Sequence, residues 1–209
     1  MPRVTTDRGI DRLVNFTDAV VAVAVTLLIL PIADLVQEGD TVADLFTTYS
    51  SQLISYVAVF LLMVWIWTGH HRFWELMDDY NYPLLWLNTI WLLLLSLFPV
   101  IAGFTFRGLE HGQGIAYLSL LALITLVKVF MTLYSRSRKS LISPSAEPGD
   151  FVVTMDLWRA ACYAMVAGLI AIWPAEADYL IWLVIPLITL THVVESPRKR
   201  SPTDNPEGE

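Results

Sequence analysis

Charge is what this sequence has least of. Only 16% of its 209 residues are Asp, Glu, Lys or Arg, while 56% are hydrophobic, and the mean hydropathy is +0.57. Soluble domains carry about 25% charged and roughly 45–50% apolar residues, so most of this chain belongs in a bilayer. There is no basic stripe and the net charge is −7, which argues against nucleic acid as a partner. The single cysteine, Cys162, excludes an internal disulfide, and its apolar neighbours assign it to packing. No segment alternates as a barrel strand would, so helices are the spanning element. Internal repeats, a soluble domain and low-complexity blocks are also lacking. The opening MPRVTTDRGIDR is too polar, and the apolar run after it too long, for a cleaved signal, so that run is expected to stay in the mature protein.

What is present is a series of long apolar runs. A span needs roughly 20 mostly apolar residues, and the sequence predicts six: Leu13–Leu35, Leu53–Gly69, Pro83–Phe106, Ile115–Tyr134, Met155–Pro174 and Tyr179–Val194. The fold class is therefore all-α and polytopic, with a transmembrane domain over 1–196 and a disordered, Pro-rich cytoplasmic tail over 197–209. The last two helices, joined only through Ala175 to Asp178, form a hairpin. Arg3, Arg8, Arg12, Arg72, Arg136, Arg138, Lys139, Arg159, Arg198, Lys199 and Arg200 all fall on one side, against Arg107 alone on the other. The positive-inside rule then places both termini in the cytoplasm of a cell (inner) membrane. The outer loops hold Asp34, Glu38, Asp40, Asp44, Glu110, Glu176 and Asp178. That face either attracts cations or is simply what the positive-inside bias leaves behind.

The first apolar run is the most informative. It carries Asp18 in its first third, where a charge costs about 2.5–3.5 kcal/mol on insertion scales. Beyond it Val23, Leu27 and Leu30 recur at +4 and +3, which stacks them on one helix face. A polar anchor followed by a branched apolar stripe suits a pore-lining helix with a hydrophobic constriction. It equally suits ordinary packing, since Ala19, Ala22 and Ala24 permit close helix contact.

Orientation gathers the other polar residues into one inner layer: Asn15, Thr17 and Asp18, then His70, His71 and Arg72, then Asn88, Arg159 and His192. An intramembrane carboxylate needs a partner. Arg12, six positions earlier, is off the helical spacing, which leaves His70, His71, Asn88 or Arg159 on other helices. Such a layer either clamps the first helix or relays protons, because His and Asp together titrate near neutral pH. Lys128 stands apart, about two turns from its helix end, and is expected to snorkel without a role. Adjacent histidines point about 100° apart and do not converge on one metal ion. No Ser or Cys nucleophile stands in a catalytic setting, so neither an enzyme nor a cofactor is expected.

Arg12, then Phe16-Thr17-Asp18 and the run AVVAVAVTLLIL, resembles the first-helix signature of the endosomal and lysosomal potassium-channel family, the transmembrane protein 175 family. Its mark is R-x-x-x-F-S-D with a long apolar continuation. The likeness extends to Trp67 with His70-His71-Arg72 and to Asn88, about half the chain by motif and all of it by helix layout. It implies a homotetrameric, potassium-preferring monovalent cation channel of the single-repeat prokaryotic type, with no carbonyl selectivity filter and with the potassium ion, lipid and other copies of itself as partners. By position, Val23 forms the narrowest ring, Leu27 and Leu30 form further apolar rings, and Thr26 adds a hydroxyl layer. Arg12, Phe16, Thr17, Asp18, His70, His71 and Asn88 make the structural polar cluster. Two residues depart from the pattern. Thr17 replaces Ser and keeps the hydroxyl; Val23 replaces the usual Ile or Leu and leaves a wider opening. A proton-conducting pathway and a non-conducting membrane scaffold are the alternatives.

Overall fold

The computed structural model describes residues 7–106, 113–146 and 153–172. The sixth predicted helix, the hairpin before it, His192, Arg107, Glu110 and the tail lie outside the described residues. Within them the chain is helical, and pairing between extended segments is confined to one isolated bridge, Met77 to Ile142. The helices are α1 (Asp7–Leu27), α2 (Leu30–Ala33), α3 (Val42–Phe46), α4 (Ser50–Glu75), α5 (Tyr82–Ser96), α6 (Phe98–Phe106), α7 (Gln113–Ser137) and α8 (Val153–Ile172). Among the described residues, four runs are long and apolar enough to cross a bilayer: Gly9–Ala33, Ser50–Glu75, Tyr82–Phe104 and Gln113–Ser137.

Two predicted spans are broken rather than continuous, and proline is the cause in both. Pro31 has no N–H for the carbonyl four residues back, so the first span tightens before it. Leu28 N–H donates to Val25 at 3.3 Å and Ile29 N–H to Thr26 at 3.4 Å, three residues back rather than four. Leu30 therefore sits on α2, past a turn at Leu28–Ile29, and not on the same uninterrupted helix as Val23. Pro99 breaks the third span in the same way. Leu97 N–H reaches back three residues to Leu94 at 3.2 Å, which separates α5 from α6. The second and fourth spans run past their apolar stretches at both ends, because a helix need not stop where hydropathy does.

Packing places α1 against α4 and α5, α2 against α6, and α7 between α5 and α8. Trp91, Phe98, Leu84, Leu118, Leu121, Ile124, Met131 and Ile170 are fully buried at these contacts. In lipid the drive is close van der Waals contact and interhelical hydrogen bonds rather than water exclusion. One end of the bundle is tied by backbone bonds. Ser143 N–H donates to Leu76 at 2.9 Å and Asp78 N–H to Leu141 at 3.0 Å, so the turn after α4 is stitched to the chain beyond α7. Asn81 caps α5 by accepting from Leu84 N–H at 3.2 Å, and its amide donates to the Tyr134 hydroxyl of α7 at 2.9 Å.

Candidate functional site

The first helix has two faces with different fates. Leu13, Thr17, Val21, Ala24 and Leu28 are buried in the bundle. The other face, Arg12, Asn15, Phe16, Ala19, Val23, Thr26 and Leu27, is exposed. Val23 is 57% exposed, Leu27 42% and, beyond the break, Leu30 53%. The residues expected at the constriction thus form one outward stripe, with polar Arg12 and Asn15 at one end and Thr26 part-way along. The Thr26 hydroxyl donates to the Val23 carbonyl at 2.8 Å, which holds it against the helix and leaves its oxygen lone pairs facing outward. Beside the stripe is an open apolar groove of about 270 Å³, lined by Phe16, Ala19, Val20, Val23, Ala24, Leu27 and Ser96.

The buried side of the same helix makes the polar contacts, in two separate groups. In the first, the Asn88 amide links Thr17 Oγ1 and His70 Nε2, each at 2.9 Å. The Trp74 indole, which can only donate, reaches the same imidazole nitrogen at 3.0 Å. Asn88 Nδ2 donates to the Thr17 hydroxyl oxygen, and its carbonyl oxygen faces His70 Nε2. His70 stacks flat on Trp91, ring centres 3.6 Å apart and planes within 6°. Thr17, His70 and Asn88 are each about 1% exposed, so helices α1, α4 and α5 are pinned together through dry hydrogen bonds.

In the second group, Asp18 Oδ1 accepts from the Trp67 indole N–H at 2.8 Å. Its other oxygen lies 3.6 Å from His71 Nδ1, and His71 Nε2 lies 3.6 Å from Glu75. His71 also tilts against Trp67 with ring centres 5.2 Å apart. Of the partners expected for Asp18, only His71 is near. The nearest donor is Trp67, which sequence reasoning had matched to a motif without assigning it a contact. Arg12 and Phe16 join neither group, because both lie on the exposed face.

Lys128 and Arg159 both depart from expectation. Lys128 Nζ is 3.1 Å from Asp156 and its side chain is 19% exposed, so it is paired inside the bundle rather than snorkelling. Arg159 holds the same carboxylate at 2.9 Å and lies over the Trp65 ring at 4.6 Å, and so does not serve Asp18. The physical reason is α8, which delivers Asp156 and Arg159 at i, i+3 spacing to a place where α4 leaves room. A Cβ added at Gly69 would stand 3.0 Å from Lys128 Nζ. The i, i+3 spacing was visible in the sequence; the match to Lys128 on another helix was not. Among the described residues, no group of three or more His, Cys, Asp or Glu side chains is placed to hold a metal ion.

These elements define a polytopic α-helical membrane protein whose first helix is held by two polar groups on one face and left free on the other. Residues 12–99 match the family described as endosomal/lysosomal potassium channel TMEM175, the stretch that contains every motif behind the resemblance. That family is one of ion channels and not of enzymes. Two solved structures share the fold. A lysosomal potassium-selective channel TMEM175 homolog from Chamaesiphon minutus superposes with a TM-score of 0.65 at 17% identity, covering 88% of this chain and 95% of that one. The potassium channel MtTMEM175, crystallised as a variant in complex with a nanobody–MBP fusion, gives 0.58 at 19% identity, covering 88% and 92%. No curated protein matches the chain in sequence.

Proposed function

We propose that this protein is a potassium-preferring monovalent cation channel of the cell (inner) membrane, built as a homotetramer around its first helix with both termini in the cytoplasm. One observation carries the reading. Val23, Leu27 and Leu30 turn away from the bundle while the opposite face of the helix is locked into it by Thr17 and Asp18. The same outward face carries Arg12 and Asn15 at its polar end and Thr26 part-way along, an order that suits the wall of an aqueous axis. The match of residues 12–99 to a potassium-channel family supports the same reading.

Four copies of the stripe would enclose a narrow apolar tube with its tightest ring at Val23 and wider rings at Leu27 and Leu30. Such tubes gate by dewetting, since water leaves when the radius falls. Discrimination then follows from the work of stripping a hydration shell, and potassium holds its shell more loosely than sodium. The expected preference is mild. Potassium uptake into liposomes, run beside sodium and proton gradients, tests it. Uptake should favour potassium, and Val23→Asn should raise flux and weaken discrimination. Identical flux and selectivity in that variant would overturn the pore assignment.

A proton pathway is the second reading, favoured by the run Asp18, His71, Glu75 with successive gaps of 3.6 Å. Proton flux without potassium flux, lost in His71→Phe, would establish it instead.

A further inference from the structure

The two proline breaks meet. Pro31, immediately after Leu30, seats against Gly103 on α6, one turn beyond Pro99 on the same helix face. A Cβ built at Gly103 would stand 2.9 Å from Pro31 Cγ and 3.1 Å from Pro31 Cβ. Real side-chain carbons do not approach a rigid ring so closely, and a pyrrolidine cannot swing aside as a flexible chain end could. Gly103 is itself buried, so nothing on the α6 side can yield cheaply.

α2 is short, just four residues, and its tie to α1 is weakened at Leu28–Ile29, where the hydrogen bonds stretch to 3.3 and 3.4 Å. Its position is therefore set by what it leans on rather than by the helix before it. Ile32 points into the bundle at 4% exposure while Leu30 points out at 53%. A push from α6 on Pro31 moves the segment outward, in the direction Leu30 already faces.

We infer that Gly103 is a positioning residue for the outermost apolar ring: by having no side chain, it lets Pro31 seat on α6 and so keeps Leu30 withdrawn from the conduction path. The inference rests on the reading that the exposed stripe lines a pore. Gly103→Ala would press Pro31 away, advance Leu30 toward the axis and narrow the ring, and a narrower apolar ring dewets.

The test has two arms. In liposomes, Gly103→Ala should lower potassium flux severalfold against the parent protein. Adding Leu30→Ala, which removes the ring, should restore the flux to that of Leu30→Ala alone. Pro31→Gly, which removes both ring atoms, should also relieve the Gly103→Ala defect. Additive losses in the double variants, or unchanged flux in Gly103→Ala, would overturn the inference. The second arm does not need conduction. In a Cys162→Ala background, Leu30→Cys is labelled with a water-soluble maleimide, with and without Gly103→Ala, beside a Val23→Cys control. The labelling rate should change at position 30 and stay constant at position 23. Equal rates at position 30 would overturn the inference even in a conducting protein. A parent protein without cation flux would instead overturn the channel reading beneath it. Elution as the same oligomer in every variant separates these effects from misfolding.

Discussion

The Trp67 indole donates to Asp18 at 2.8 Å across the contact between α4 and α1. It gives an intramembrane carboxylate a neutral, directional partner, so the first helix is fixed in rotation without a second buried charge. An indole N–H has one direction to donate in, and it thereby also fixes which face of α1 remains free. Removing that donor tests the point. Trp67→Phe keeps the ring packing and loses the hydrogen bond, and the carboxylate should be destabilised by about 1–3 kcal/mol. The lower part of that range is expected, because Asp18 is 33% exposed and water recovers some of the loss. Asp18→Asn, which still accepts, should cost less than Trp67→Phe. Thermal unfolding in detergent reads both.

Asn88 bridges two helices with one amide. Replacing it by Leu would leave the Thr17 hydroxyl without its bridging partner and His70 Nε2 with the Trp74 indole alone, at about 1–3 kcal/mol for a group left unsatisfied. Thr17→Ser should be nearly silent and Thr17→Val should not, because the hydroxyl is the group in use. The order expected in unfolding midpoints is Thr17→Ser highest, Thr17→Val next and Asn88→Leu lowest.

Asp156 answers two cations, Lys128 and Arg159, and the two sides of that arrangement are not equivalent. Asp156→Asn removes the charge that both cations share inside the bundle, and breaking a buried pair by removing one partner costs roughly 3–5 kcal/mol. Lys128→Met leaves Asp156 still held by Arg159 and should be clearly milder. Equal losses in the two variants would show that Lys128 and Arg159 are not held by a common carboxylate.

The loop after α2 carries a pH-dependent turn. Asp44 accepts from the Thr41 N–H at 2.6 Å and from the Thr41 hydroxyl at 2.7 Å. Those bonds hold its carboxyl below the ordinary value of 3.8, the backbone N–H contributing most. A lowered folded value means that the stabilisation is fully present above 3.8 and is lost as pH falls through the lower folded value. Amide exchange at Thr41 should therefore accelerate in that acid window, and Asp44→Ala should abolish the pH dependence. The turn holds no buried residue, so global unfolding should not follow it.

Much of the fold was legible in the residues. Four of the predicted spans coincide with runs able to cross a bilayer, and α8 covers most of the fifth, because twenty apolar residues leave a chain few alternatives in lipid. The breaks at Pro31 and Pro99 were also written in the sequence, yet hydropathy runs straight across them. Proline breaks a helix through a missing N–H, not through polarity. The site divides the same way. Thr17, Asp18, His70, His71 and Asn88, which the sequence marks as a polar cluster, are buried or half-buried on α1, α4 and α5. Their separation into two groups, and the roles of Trp67, Trp74 and Trp91, were not visible. An indole reads as an apolar residue until something nearby accepts its N–H.

The sequence by itself determined that this protein is helical and lies in a membrane, and that its first helix carries one stripe of branched apolar residues after a polar anchor. These are properties of composition and period, which each segment carries alone. Only the tertiary structure decided that the stripe faces outward, that Asp18 belongs to Trp67, that Lys128 belongs to Asp156 and that Pro31 rests on Gly103. Each of these depends on how one helix is rotated and shifted against another. That choice is made by the packing of several helices at once, through contacts a few ångströms long between residues far apart in the chain.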